Sequence, residues 1–127
     1  MKRFLLRWTD KSSTSVLSKI STKRDILDTA KRLKEDNDVT FILLYEEIRN
    51  EENEPILLVS DFIRNEENKD TPGFYSIRYM NTKSKQIKTK EGDFNNIKEI
   101  ASNLEKDVDN TVIVDYFRAV KIVKDEM

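Results

Sequence analysis

The sequence predicts an α+β fold: a two-layer sandwich in which two helices pack on one face of a mostly antiparallel sheet. Between residues 39 and 80, short β-branched and aromatic runs alternate with Asn/Glu/Pro/Gly clusters, a pattern typical of antiparallel strands joined by turns. Two other stretches, 22–35 and 93–106, repeat apolar residues at helical spacing. The expected element order is β-α-β-β-β-β-α-β, which is a ferredoxin-like or related order with an extra hairpin.

The N-terminal part of the chain is expected to contain a strand, a helix and a second strand. Residues 2–8 alternate apolar and mainly charged side chains, as a half-buried strand does. Residues 9–21 are rich in Ser, Thr and Lys and predict a loop or an irregular approach to the first helix. Thr22 fits the N-cap of the first helix. The nearly unbroken apolar run 39–45 then predicts a central strand.

The middle of the chain is expected to complete an antiparallel meander. The runs 56–64 and 74–80 predict its second and third strands, and Pro72 precedes the latter, where a missing backbone donor does least harm. Residues 84–90 contain Ile87 as their only apolar residue, which predicts an exposed edge strand. Lysines along such an edge discourage pairing with other chains.

The C-terminal part is expected to contain the second helix and the last strand. Asp93 fits a helix N-cap ahead of apolar residues at helical spacing. Residues 111–123 predict one long strand. Strict alternation along it would place Ile113 and Tyr116 on opposite faces.

The composition predicts one domain, residues 1–127, with a highly charged surface. Lys and Arg (23) nearly balance Asp and Glu (24), so the net charge of −1 favours neither DNA binding nor an acidic mimic of DNA, and only local patches could serve either role. The chain has no cysteine and no histidine, which removes thiolate chemistry, the commonest general base and the commonest transition-metal ligands. Two glycines are too few for a phosphate-binding loop. We therefore expect that the protein is not an enzyme and that it binds neither a metal nor a cofactor.

The N-terminus begins like a signal peptide, but its apolar run ends after three residues. A secretory signal requires about 7–15 apolar residues and a membrane span about 20. We therefore expect a cytoplasmic protein that does not enter the membrane. The abundance of Lys, Asn, Ile and Glu is associated with AT-rich genomes and favours a phage or mobile-element origin.

These exclusions favour a small protein-binding module that occludes a partner protein stoichiometrically, as immunity proteins, inhibitors and phage anti-defence proteins do. A surface with charges of both signs favours steering toward one specific partner, with the module itself a monomer or a dimer. The lysine-rich edge strand also suits the addition of a strand to a partner's sheet. The candidate partner-binding residues are Glu51, Glu52, Glu54, Glu66, Glu67, Lys83, Lys85, Lys88 and Lys90.

The acidic candidates lie in two copies of one hexapeptide, Ile-Arg-Asn-Glu-Glu-Asn, at residues 48–53 and 63–68. Because successive turns of a meander lie at opposite ends of a sheet, we expect the two copies to be far apart. One interpretation is a pair of acidic contact loops for a basic partner. The favoured alternative is that the repeat reflects biased codon usage or a short duplication.

A module that binds single-stranded RNA or DNA is the alternative function. Lysines would contact phosphates and aromatic rings would stack on unpaired bases. Residues 73–79 are partly similar to the RNP1 pattern of RNA-recognition motifs, but Pro72 replaces a basic residue and Ser76 an aromatic one. The candidate nucleic-acid-binding residues are Tyr75, Arg78, Tyr79, Lys83, Lys85, Lys88 and Lys90.

Glu46, Glu47 and Asp61 lie near the ends of two adjacent predicted strands. A metal site or an acid–base pair would require these carboxylates to converge in a pocket. Solvated strand ends are the favoured interpretation.

Overall fold

The computed structural model describes residues 2–12, 15–69 and 73–125. Within them it contains an antiparallel sheet of six strands, in the order β2-β1-β3-β6-β4-β5, and three helices. In chain order the elements are β1 (Phe4–Asp10), β2 (Leu17–Ser21), α1 (Lys23–Lys34), β3 (Val39–Glu47), α2 (Val59–Glu66), β4 (Phe74–Asn81), β5 (Ile87–Asp93), α3 (Phe94–Lys106) and β6 (Thr111–Asp125). The α+β class and the mostly antiparallel sheet are confirmed.

The chain divides into two compact units, and the first comprises Met1–Glu47 and Ala119–Met127. Its strand β1 pairs with β2 on one edge and with β3 on the other. Thr22 is the N-cap of α1, as predicted, and its hydroxyl accepts a hydrogen bond from the backbone N–H of Asp25. Alternate strand residues and one stripe of α1 then share a core. Its buried members are Leu6, Ile26, Ala30, Val39, Ile42 and Leu44.

The second unit comprises Ile48–Arg118. Its strand β4 pairs with β5 and with the first half of β6, and the core includes residues of both α2 and α3. Phe62 of α2 lies at the centre of this core. Its ring stacks on Tyr116 at a centroid distance of 4.8 Å and meets the ring of Tyr75 edge-on at 5.2 Å. Such aromatic pairs stabilise a fold beyond the area they bury.

Helix α2 replaces the second strand of the predicted meander, so the prediction of a strand over 56–64 is wrong. The apolar run there has no clear period, and its length alone does not distinguish a buried strand from a buried helix. In the structure Val59 and Phe62 join the core at helical spacing. The N-cap residue Leu58 supplies no side-chain bond, but Glu105 of α3 accepts a hydrogen bond from the backbone N–H of Val59 at 3.0 Å.

Two further predictions differ from the structure. The predicted loop 9–21 contains the short strand β2, in which no residue is buried and Leu17 and Ile20 are the only apolar residues, too few for a clear apolar pattern. A β-bulge in β6 also breaks the expected alternation, because Arg78 pairs with Asp115 and Tyr79 with Ile113. Ile113 therefore packs against the same core as Tyr116.

The observed element order is β-β-α-β-α-β-β-α-β, so the ferredoxin-like order with two helices on one face is not confirmed. The single domain over residues 1–127 stays a prediction. The expectation about Pro72 lies outside the described residues. None of the described helices has the length and apolar character needed to cross a membrane.

Candidate functional site

The first copy of the repeated hexapeptide forms a tight loop between β3 and α2. The side-chain oxygen of Asn50 accepts hydrogen bonds from the backbone N–H groups of Glu52 and Glu54, at 2.9 and 3.0 Å. The backbone N–H of Asn50 in turn donates to the carbonyl of Glu54 at 2.9 Å. Asn53 adopts a left-handed conformation with φ of 61°, which asparagine tolerates better than most residues. One asparagine therefore organises the whole turn.

The second copy forms the last turn of α2 and the two residues that follow. Arg64 is exposed and pairs with Asp61 one helical turn earlier, at 2.6 Å. Glu66 lies on the buried face of the helix, and Glu67 is its C-cap. The same six residues thus form a turn in one context and a helix in the other. Pro55 explains part of the difference, since the residue before a proline is disfavoured in a helical conformation.

The two copies line one cavity of about 500 Å³. The expectation that they lie far apart is wrong, because α2 returns the second copy toward the first loop where a strand would have carried it away. Both copies contribute side chains, and the segment between the copies adds Ile56 and, from the first turn of α2, Asp61. The cavity is lined by Asn50, Glu51, Glu52, Ile56, Asp61, Arg64 and Asn65.

The cavity has a net negative charge. Its lining contains three carboxylates and one guanidinium, and Arg64 is already paired with Asp61. Glu51 and Glu52 are exposed. Among the described residues, no group of three or more acidic side chains is placed to share a metal ion. The cavity therefore presents carboxylate acceptors and asparagine amides.

A buried ion pair fixes the wall that α2 contributes. Glu66 is completely buried, and Arg118 on β6 donates to both of its carboxylate oxygens at 2.8 Å. Asn65 also donates to Glu66, and Lys69 lies 3.4 Å from the same carboxylate. Burial, and then the nearby Glu66 carboxylate, raise the pKa of Tyr75 to about 12. Glu66 therefore holds the helix in place rather than presenting a charge at the surface.

The acidic candidates thus have different positions. Glu51 and Glu52 line the cavity, whereas Glu54 and Glu67 are exposed outside its lining. Glu66 is inside the unit. The basic candidates Lys83, Lys85, Lys88 and Lys90 are all exposed, on the β4–β5 turn and on β5.

The candidates for nucleic-acid binding do not form one exposed surface. Tyr75 is only 2% exposed. Arg78 donates hydrogen bonds from Nε and Nη2 to the two carboxylate oxygens of the buried Asp115. The distance from Nε to Oδ1 is 2.8 Å. Tyr79 is half-buried, so the lysines are the exposed part of this set.

The other carboxylates that the sequence singled out do not converge. Glu47 is completely buried and bound by Arg3 at 2.8 Å, and Glu46 pairs with Lys2 at 3.0 Å. Asp61 lies on α2 and not on a strand beside them. Each of these three carboxylates thus has a basic partner of its own.

Sequence reasoning missed part of the cavity lining, namely Asn50, Ile56, Arg64 and Asn65. The repeat itself was the signal, since three of these four residues belong to it. Comparison of this chain with family models, curated proteins and solved structures gave no match.

Proposed function

We propose that the protein is a small, non-enzymatic module that binds a partner protein and occludes part of its surface. We further propose that its acidic cavity receives a basic side chain of that partner. The observation that carries the proposal is the convergence of both hexapeptide copies on one cavity with a net negative charge. Immunity proteins, inhibitors and anti-defence proteins act in this way, by stoichiometric binding rather than by chemistry.

The chemistry of the cavity suits an arginine or lysine side chain, and its volume leaves room for one. A volume of about 500 Å³ lies within the range of ligand pockets in proteins. Carboxylates accept short, charge-assisted hydrogen bonds from a guanidinium or ammonium group. Since Arg64 already balances Asp61, the carboxylates of Glu51 and Glu52 supply the net charge. Both are exposed, so they contribute more to specificity and to the association rate than to affinity.

The site is held in shape before a partner arrives. The Asn50 turn fixes the backbone of Glu52, and the buried pair of Glu66 and Arg118 fixes α2. A rigid site lowers the entropy that must be lost on binding. The alternative of a single-stranded nucleic-acid-binding module stays a prediction, and the burial of Tyr75 and the pairing of Arg78 do not favour it.

Quantitative affinity capture tests the proposal. The wild type and two variants of equal net charge are immobilised and exposed to extract from the native host. The cavity variant is Glu51→Gln/Glu52→Gln, and the control is Glu35→Gln/Glu99→Gln, which removes two exposed charges on or beside other helices. We expect one protein to be captured at fixed stoichiometry by the wild type and the control, and to be lost from the cavity variant. Equal capture by the cavity variant, or no stoichiometric partner on the wild type, would overturn the proposal.

A further inference from the structure

Strand β5 presents an edge of the sheet. It is the terminal strand in the sheet order, and over its whole length, Ile87–Asp93, it pairs with β4. In the described part of the chain no strand pairs with its other edge. Most of its side chains are exposed. An edge of this kind is a template for an added strand, unless its side chains prevent pairing.

The register shows which backbone groups face this edge. The backbone N–H of Asn81 donates to the carbonyl of Gln86 at 3.0 Å, next to the turn. Hydrogen-bonded pairs alternate along an antiparallel ladder, so Lys88 and Lys90 direct their backbone groups toward β4. By the same alternation, the backbone N–H and C=O groups of Ile87 and Thr89 face the open edge. These are the groups that an added strand would bind.

The two faces of β5 differ in chemistry. Lys88 and Lys90, two residues apart, project from one face. Ile87 projects from the other face, where it lies directly opposite Met80, which in turn lies opposite Val112. Ile87 is 52% exposed and Val112 is 47% exposed. The edge therefore combines a pair of lysines on one face with an exposed apolar row on the other.

A second copy of this chain does not fit the edge. When a strand pairs antiparallel with its own two-fold copy, directly opposite residues project from the same face, so even-numbered residues meet even-numbered ones. Depending on the register, Lys88 and Lys90 of one copy would then lie opposite Lys88, Lys90 or Gly92 of the other copy. The odd-numbered Glu91 and Asp93 would never lie opposite either of these two lysines. Like charges directly opposite each other destabilise a strand pair. The lysines thus oppose self-pairing and favour an acidic strand.

We propose that β5 binds an extended, acidic segment of another protein, which adds to the sheet as an antiparallel strand. Acidic residues at alternate positions of this segment lie opposite Lys90 and Lys88, and the apolar residue that follows lies opposite Ile87 and extends the apolar row. Its pattern from N to C terminus is therefore acidic, any residue, acidic, apolar. The inference does not depend on the acidic cavity, because the two surfaces share no residue.

A peptide titration of the full-length protein, followed by NMR, tests this proposal. The probe is the blocked peptide Lys-Glu-Thr-Glu-Leu, and the controls are the same peptide in reverse order and a version with lysines in place of the glutamates. We expect the probe to shift the amide signals of Ile87 and Thr89 most strongly and to slow their hydrogen exchange, as new backbone hydrogen bonds form. Both control peptides should bind more weakly.

Variants separate the charge contribution from general surface effects. Lys88→Gln/Lys90→Gln should weaken probe binding by about three- to tenfold, which corresponds to the loss of two cross-strand charge pairs. The matched control Lys31→Gln/Lys34→Gln, with two exposed lysines of α1 removed, and the cavity variant Glu51→Gln/Glu52→Gln should bind the probe as the wild type does. The proposal is overturned if the probe shifts no amide of β5, or if the lysine variant binds it normally. It is also overturned if oligouridylate binds β5 more tightly than the peptide.

Discussion

Arg118 on β6 donates from Nη1 to both carboxylate oxygens of Glu66, at 2.8 Å each, and the Glu66 side chain is completely buried. The two residues are 52 positions apart in sequence. Because Glu66 is the last residue of α2, this pair attaches the helix to the sheet at the end that carries the second hexapeptide copy. The position of one wall of the acidic cavity therefore depends on a contact between α2 and β6 that is not itself part of the cavity lining.

Arg118→Met should destabilise the protein strongly, because it leaves a buried carboxylate without its main partner. Removing one member of a buried pair costs about 3–5 kcal/mol in the free energy of unfolding. Arg64→Met removes an exposed partner of Asp61 and should cost less than about 1 kcal/mol. Urea denaturation measures both values. If Arg118→Met does not fold, Arg118→Lys should fold with an intermediate loss. Similar small losses for both Met variants would show that the buried pair does not hold α2.

The turn around Asn50 should be sensitive to backbone conformation at Asn53. Asn53→Gly should leave stability unchanged or raise it, because glycine adopts a positive φ without steric strain. Asn53→Val should lower the free energy of unfolding by about 1–2 kcal/mol. Asn68→Val, at the equivalent position of the second copy, is the control and should have a smaller effect, since no positive φ is recorded there. Thermal unfolding compares the three variants, and equal losses at positions 53 and 68 would contradict this account.

Stability at alkaline pH should depend on Tyr75. Burial and the Glu66 carboxylate raise its pKa from 10 to about 12, so the folded state keeps the phenol protonated. A pKa that is higher in the folded state than in the unfolded state contributes to the free energy of unfolding. This contribution is complete below pH 10 and is lost between about pH 10 and 12. We expect the free energy of unfolding of Tyr75→Phe to fall less steeply over this interval than that of the wild type. Burial also raises the pKa of Tyr116, so the free energy of unfolding of Tyr75→Phe should still fall with pH to some extent.

Urea denaturation at a series of pH values between about 8 and 11 measures these slopes. Tyr75→Phe keeps the ring that packs against Phe62. The free energy of unfolding of this variant near neutral pH is therefore the reference value from which its change with pH is measured. The same slope in both proteins would show that Tyr75 does not ionise on unfolding in this range.

Most parts of the fold that the sequence predicted correctly have a strong local pattern; the edge strand β5, predicted from a segment with one apolar residue, is an exception. Both capped helices, α1 and α3, combine an N-cap residue with an apolar stripe, and each cap makes its expected hydrogen bond. The strands β1, β3 and β4 have clear apolar patterns. Helix α2 was missed because the apolar run 56–64 has no clear period, and because the buried face of the helix includes Glu66, a charged residue that is stabilised in the interior by Arg118. No local pattern shows that contact.

The role of the candidate residues in binding stays a prediction, but the lining of the cavity itself is predictable in part. Glu51 and Glu52 were singled out as candidate contact residues, and both line the cavity. Arg64 and Asn65 were not, because their position follows from α2 being a helix. Glu66 was grouped with the surface carboxylates by its sequence, although it is completely buried. The two copies of the repeat supply five of the seven lining residues, but the position of each copy depends on long-range packing.

Titration of the protein with acetyl-arginine amide, followed residue by residue by NMR, tests the central claim that the two hexapeptide copies form one site for a basic group. We expect the amide signals of Glu51 and Glu52 and those of Arg64 and Asn65 to shift together with a single dissociation constant. The variant Glu51→Gln/Glu52→Gln should abolish the shifts in both copies, whereas Glu35→Gln/Glu99→Gln should leave them unchanged. Shifts confined to one copy, or spread over all exposed carboxylates, would contradict a shared site.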